Sequence, residues 1–212
     1  MSKIHRIVCG NGNCYIIENG TVGILVDTGK REYFAKVMEA CRRYCVKLIV
    51  LTHAHFDHAE NAAQIAEALG VPIGMHEDDC DLIASNTNQA LSADTLPGKI
   101  VLRASLREFA RRTVPAFTPE VLLRDGDSLA GWGADARIVA LPGHTRGSIG
   151  VDVEQRELLV GDALMNMFYP TVSMLFHDRE AMLASAEKIS RLGSRTICFG
   201  HGGPVPNRRW HG

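Results

Sequence analysis

Four side chains able to bind a metal, His53, His55, Asp57 and His58, stand within the run Thr52-His53-Ala54-His55-Phe56-Asp57-His58. Imidazole and carboxylate are ligands that zinc and iron both accept. His53 and His55 alternate with Ala54, so an extended backbone sets both rings on one side. Asp57 and His58 then diverge as the chain turns into the helical pattern of Ala62, Ile65, Ala66 and Leu69. That divergence suits two adjacent cations better than one.

These residues need a scaffold, and the flanking sequence supplies it. The apolar stretch from Val46 to Leu51 reads as a buried strand, which puts the ligands on a strand-to-helix loop. Three more runs repeat the device. His144 follows Ile138 to Leu141, Asp162 follows Leu158 to Val160, and His201 follows Thr196 to Phe199. Each offers one His or Asp from a strand end flanked by glycine, as a pocket at a sheet edge requires.

Together with Asn13-Cys14-Tyr15-Ile16-Ile17 and Leu25-Val26-Asp27-Thr28-Gly29, these runs make the chain resemble the metallo-β-lactamase superfamily over nearly its whole length. The last two runs are typical of its glyoxalase II-like members. Eleven residues follow His201. Full-length glyoxalase II continues there into a helical domain, so the resemblance is to a short form of such hydroxyacylglutathione hydrolases. The resemblance implies a four-layer αβ/βα sandwich, an α/β (α+β) fold with its site at the edge between two sheets. It implies two divalent metal ions, with zinc the first expectation and iron or manganese the alternatives. His53, His55 and His144 would hold the first ion and Asp57, His58 and His201 the second, with Asp162 bridging. Asp27 reads as a support of the metal loop rather than a ligand, and Thr145 as a loop-shaping residue. His5, His76, His177 and His211 lack such context and read as non-ligands.

The coarse pattern agrees with that architecture. Strands are expected near 3–9, 13–19 and 22–27, separated by Asn11-Gly12 and Asn19-Gly20 turns. A helix from Glu32 to Tyr44 precedes the strand ending at Leu51, and Val71-Pro72-Ile73 begins a short strand. A second β set is expected at 120–123, 137–141, 148–153 and 156–160, then a helix near 179–192 and the final strand at 195–199. One domain spanning 1–212 is the expectation. Cys41 and Cys45, four apart, are expected to share a helix face, and all six cysteines are read as reduced thiols.

The segment from Glu77 to Pro119 admits two readings. Arg103, Arg107 and Arg111 could form the face of a lid that attracts an anionic substrate. The favoured alternative is a solvated amphipathic helix with Leu102, Leu106 and Phe109 packed inward.

The expected activity is metal-dependent hydrolysis of a small ester or thioester by a metal-bridging hydroxide. Asp57 and Asp162 carry the catalytic roles. A lactonase, or a mono-iron persulfide dioxygenase sharing these ligands, is the alternative. Met165, Phe168 and Tyr169 are the expected substrate contacts, with core packing an equal reading of that Met-rich lip. The net charge of −1 gives a nucleic-acid partner no support. No stretch reaches membrane-span length and the N-terminus lacks a signal-like apolar core, so a cytoplasmic location is expected. The expected partner is a small-molecule substrate, and association into a homo-oligomer is left open.

Overall fold

The computed structural model describes residues 1–211. Strands β1 (Lys3–Cys9), β2 (Gly12–Asn19), β3 (Val22–Val26), β4 (Cys45–Val50), β5 (Ile73–Met75) and β6 (Val121–Leu122) form the first sheet in that order. The second sheet comprises β7 (Ala136–Ala140), β8 (Ile149–Val153), β9 (Glu157–Gly161), β12 (Thr196–Phe199) and β13 (Val205–Pro206). Its order is β13-β12-β9-β8-β7. Between β9 and β12, β10 (Leu164–Met165) and β11 (Thr171–Val172) make a small hairpin. Helices α1 (Phe34–Cys41), α2 (Phe56–Ala59), α3 (Ala62–Leu69), α4 (Cys80–Ala84) and α5 (Leu96–Phe109) belong to the first half, and α6 (Arg179–Arg191) to the second.

The four layers follow from strands buried on both faces. In β4, Leu48 and Val50 enter the core between the sheets, while Ile49 and the following Leu51 enter the core under the helices. In β9, Leu159 faces the first sheet while Leu158 and Val160 pack towards α6. A period of two with both faces apolar reads as a continuous hydrophobic run, which is why these strands are plain in the sequence.

Parallel pairing positions the site. β3 and β4 run parallel with Val26 opposite Val50, so Asp27 and Thr52 emerge side by side. β9 and β12 run parallel with Gly161 opposite Phe199, so Asp162 and His201 emerge together. Loops at the C-terminal ends of parallel strands share one edge. The Ile149 N–H donates to the Thr52 carbonyl at 2.9 Å and joins the two edges.

Three expectations need correction. The first helix ends at Cys41 and Cys45 opens β4, so Cys41 is buried and Cys45 exposed rather than sharing a face. The turn at Arg42-Arg43-Tyr44 breaks the helical spacing as the β-prone Val46 run takes over. The strand at 196–199 is not the last, because β13 pairs with it. In α5 Arg103 and Arg107 are exposed, as is Arg111 just beyond it, but so is Leu106 at 44%.

Leu48 lies fully buried between the sheets, whereas Leu122 is 48% exposed. In urea unfolding, Leu48→Ala is expected to cost about 2–5 kcal/mol. Leu122→Ala should stay within about 0.5 kcal/mol. Equal effects would contradict this core assignment.

Candidate metal centre

The Thr52–His58 loop starts where β4 ends, and Asp27 pins it. Asp27 adopts a left-handed φ of 59°, a conformation that Asp tolerates better than most residues. Its Oδ1 accepts the Thr52 N–H at 2.8 Å and its Oδ2 accepts the Thr52 hydroxyl at 2.9 Å. The same Oδ2 lies 2.8 Å from His58 Nδ1, which turns His58 Nε2 inward. At the start of α2, Asn86 Oδ1 accepts the Phe56 N–H at 2.7 Å.

The other rings are held in the same way. His144 Nδ1 donates to the Leu175 carbonyl at 2.8 Å, and His201 Nδ1 to the Asn11 carbonyl at 2.8 Å. A ring nitrogen beside a carbonyl oxygen must carry the proton, so both Nε2 atoms face the centre. His53 Nδ1 lies 3.2 Å from the Thr52 hydroxyl. Asp79, fully buried, anchors the His144 loop by accepting from Thr145 Oγ1 at 2.7 Å and Gly147 N at 2.8 Å.

The seven ligand candidates meet in three overlapping groups: His53, His55 and His144; His53, His58 and Asp162; and Asp57, His58 and His201. Within each group the ligand atoms lie within 4.8 Å of one another. Asp162 reaches both ends. Its Oδ1 is 3.4 Å from His58 Nε2, and its Oδ2 is 3.3 Å from His201 Nε2 and 3.8 Å from His144 Nε2. Asp57 Oδ2 lies 3.4 Å from His201 Nε2. Two glycines make room. At Gly200 a Cβ would collide with the Asp162 carboxylate. At Gly161, with φ of 53°, it would lie 2.5 Å from Thr52 Oγ1.

The donor set fits divalent cations. The Nε2 atoms of His53, His55 and His58 and Asp162 Oδ1 are buried without a hydrogen-bond partner. Orphaned polar atoms are costly in a folded protein, and those of His53 and His58 grouped with the Asp162 carboxylate call for a shared positive partner. His55 Nδ1 and His144 Nε2 lie 3.0 Å apart. Two nitrogens on a tetrahedral zinc, each bonded at about 2.0–2.1 Å, are separated by about 3.3 Å.

Charge divides the cluster in the protein alone. Burial, reinforced by the His144 ring, pushes His55 down to about 3. Burial and the neighbouring rings put His53 well below its ordinary range. Burial opposes charge at His58 too, but Asp27 and Asp162 outweigh it and raise that ring to about 9. His201 is likewise raised, by Asp162 and Asp57 against burial. The carboxyls respond in kind. Burial works against the charge of Asp57 and Asp162, yet the facing rings hold both well below the usual carboxylate range.

The centre opens into a cleft of about 320 Å³. α5 lies over it with its Ile100–Phe109 stretch, and the Phe109 ring stacks 4.9 Å from His55. The helix therefore covers the site as a lid would, but by an apolar face, while Arg103, Arg107 and Arg111 are exposed elsewhere. Of the expected substrate contacts, Met165 and Phe168 line the cleft. Tyr169 does not. The β10–β11 hairpin carries it to a neighbouring cavity beside Thr95 and Arg179. His5, His76 and His177 make local contacts with Glu18, the Asp78 backbone and the Ala90 carbonyl, away from the centre.

A profile of the metallo-beta-lactamase superfamily matches residues 7–201, and the chain belongs to that family. A hydroxyacylglutathione hydrolase of Haemophilus influenzae is 30% identical over 162 residues, covering 74% of this chain and 69% of that protein. An acyl-coenzyme A thioesterase of Bos taurus is 25% identical over 163 residues, covering 69% of this chain and 56% of that protein. Among solved structures, the B3 metallo-beta-lactamase BLEG-1 superposes with a TM-score of 0.75 at 23% identity, covering 96% of this chain and 94% of that one. No described helix is long and apolar enough to cross a membrane.

His58 and His201 carry a proton near neutrality and must release it to bind a cation through Nε2. Titrating zinc into chelator-stripped protein at pH 7 should therefore release about two protons per chain from these imidazoles, in addition to any lost by cation-bound water. His58→Ala should lower the count by about one, read with a pH indicator in weak buffer. An unchanged count would contradict the charge division.

Proposed function

We propose that the chain is a hydrolase of small thioesters or esters that works with two divalent cations, zinc being the first candidate. The observation that carries this reading is the Asp162 carboxylate, whose two oxygens reach imidazoles of both clusters at 3.3–3.8 Å. In that position it supports a bridging role. When bound, two such cations would supply a water ionised near neutral pH and a Lewis acid for the substrate carbonyl.

The side chains do the rest. His53, His55 and His144 would hold one cation, and Asp57, His58 and His201 the other. Asp57 stays ionised despite burial because His201, His58 and His55 surround it. It is thus available to orient the attacking water as well as to hold a cation. Asp27 and the Leu175 and Asn11 carbonyls fix the rings, so little reorganisation is needed during reaction. Phe109 and Phe56, packed edge to face with centroids 5.7 Å apart, keep bulk water from the His55 side. The apolar wall of α5 and Met165 suits an acyl group.

The relatives named as thioester hydrolases agree with this reading. A one-iron persulfide dioxygenase would need the first cluster alone, yet His58 and His201 each have an acceptor that aims the ring, the buried Asp27 carboxylate and the Asn11 carbonyl. A lactonase acting through Tyr169 gains no support, since that ring lies outside the cleft.

Zinc-loaded protein is expected to hydrolyse S-hexanoyl-N-acetylcysteamine, and His55→Ala to lower turnover by more than about a hundredfold with the fold retained. Unchanged turnover in a metal-clean preparation would overturn the mechanism. Asp162→Asn keeps the volume but removes the bridging charge, and should drop zinc content from two ions towards one. Full metal content with at least half the parent turnover would remove the bridge.

A further inference from the structure

The cleft has two unlike ends. At the His55 end Phe109 packs against the imidazole, and Ile100, Val101, Met165, Met167 and Phe168 supply further apolar lining of the cleft. Phe168 and Ile100 remain 64% and 61% exposed, so this surface extends to the mouth. At the His201 end stands Lys30. Its Nζ donates to Asn11 Oδ1 at 3.3 Å, and the carbonyl of that same Asn11 holds His201.

Lys30 is the sole lysine or arginine among the residues lining the cleft. Among the described residues no carboxylate lies within ion-pair distance of its ammonium. Of the carboxylates lining the cleft, Asp57 and Asp162 belong to the candidate metal centre and Glu108 is taken by Arg112 at 3.1 Å. Arg112 in turn holds Glu32 and Glu60, so its charge is committed. Lys30 is also preorganised. The Asn61 amide and the Tyr33 N–H both donate to its carbonyl, and its ammonium lies 5.5 Å from the Phe56 ring centroid. An ammonium with no carboxylate partner, held beside an apolar wall, attracts an anion more strongly than one free in solvent does.

We propose that Lys30 is the specificity-determining anion anchor of this cleft, selecting thioesters or esters that carry a carboxylate besides the scissile carbonyl. The methylenes of the substrate would lie on the apolar wall and the carboxylate at Lys30. This rests on the hydrolase reading above. The anion can belong to the acyl group or to the leaving thiol, and two probes separate these sources.

The test uses zinc-loaded protein and three thioesters. S-hexanoyl-N-acetylcysteamine is neutral, S-adipoyl-N-acetylcysteamine bears the anion on the acyl side, and the hexanoyl thioester of 3-mercaptopropionate bears it on the thiol side. The parent should prefer at least one anionic probe over the neutral one in kcat/KM. Lys30→Met should lower that preference about tenfold, through KM rather than kcat. Lys30→Arg should restore it and Lys30→Glu should invert it. The corresponding thioethers, which cannot be hydrolysed, should show the same order in calorimetric Kd.

A preference within twofold of the parent in Lys30→Met, by both kinetics and calorimetry, would overturn the anchor and leave the hydrolase reading standing. Absence of turnover with every probe, alongside thioether binding that depends on Lys30, would do the reverse.

Discussion

The site depends on one buried contact, the Asp27 carboxylate spanning Thr52 and His58. A carboxylate with 2% exposure is costly unless every oxygen is engaged. Here it accepts from a backbone N–H and a hydroxyl and pairs with an imidazole. Those contacts join the end of β3 to the end of β4 and aim His58 in the same stroke. They also account for the left-handed φ at Asp27, a strained state that persists only when its surroundings over-determine it. Three other rings follow this logic, with Nδ1 of His53, His144 and His201 beside the Thr52 hydroxyl, the Leu175 carbonyl and the Asn11 carbonyl.

Much of this was legible in the sequence for definite reasons. Strands β2, β3, β4, β9 and β12 carry apolar stretches buried on two faces, such as Ile24 to Val26, Leu48 to Val50 and Leu158 to Val160. The ligand candidates stand out because they cluster after such runs, and the structure brings all seven together. The supports of the site were not legible. Asp79 reaches Thr145 across 66 positions, and Asn86 reaches Phe56 across 30. Both sit in the polar 77–89 stretch, where no periodicity marks them. Asn11 acts on His201 through its backbone carbonyl, which no side-chain pattern can reveal.

The helix over the cleft shows a different limit. Three arginines at i, i+4 spacing and an apolar set at 102, 106 and 109 fit two orientations of α5 equally well. Tertiary packing decided between them. Phe109 stacks on His55, and Arg112 ties the end of the helix to Glu32 and Glu60, which leaves Leu106 outward. Similarly, Tyr169 is near Asp162 in sequence, yet the β10–β11 hairpin directs it to another cavity. Proximity along the chain does not determine which wall a loop residue faces.

In our proposal the seven residues form one two-cation centre held by Asp162. Anomalous diffraction at the zinc edge, on crystals grown with zinc, tests it directly. Two peaks about 3.5–4 Å apart are expected. One should lie among His53, His55 and His144, and the other among Asp57, His58 and His201, with an Asp162 oxygen on each. A single peak at full zinc loading, or two peaks with Asp162 touching neither, would contradict it.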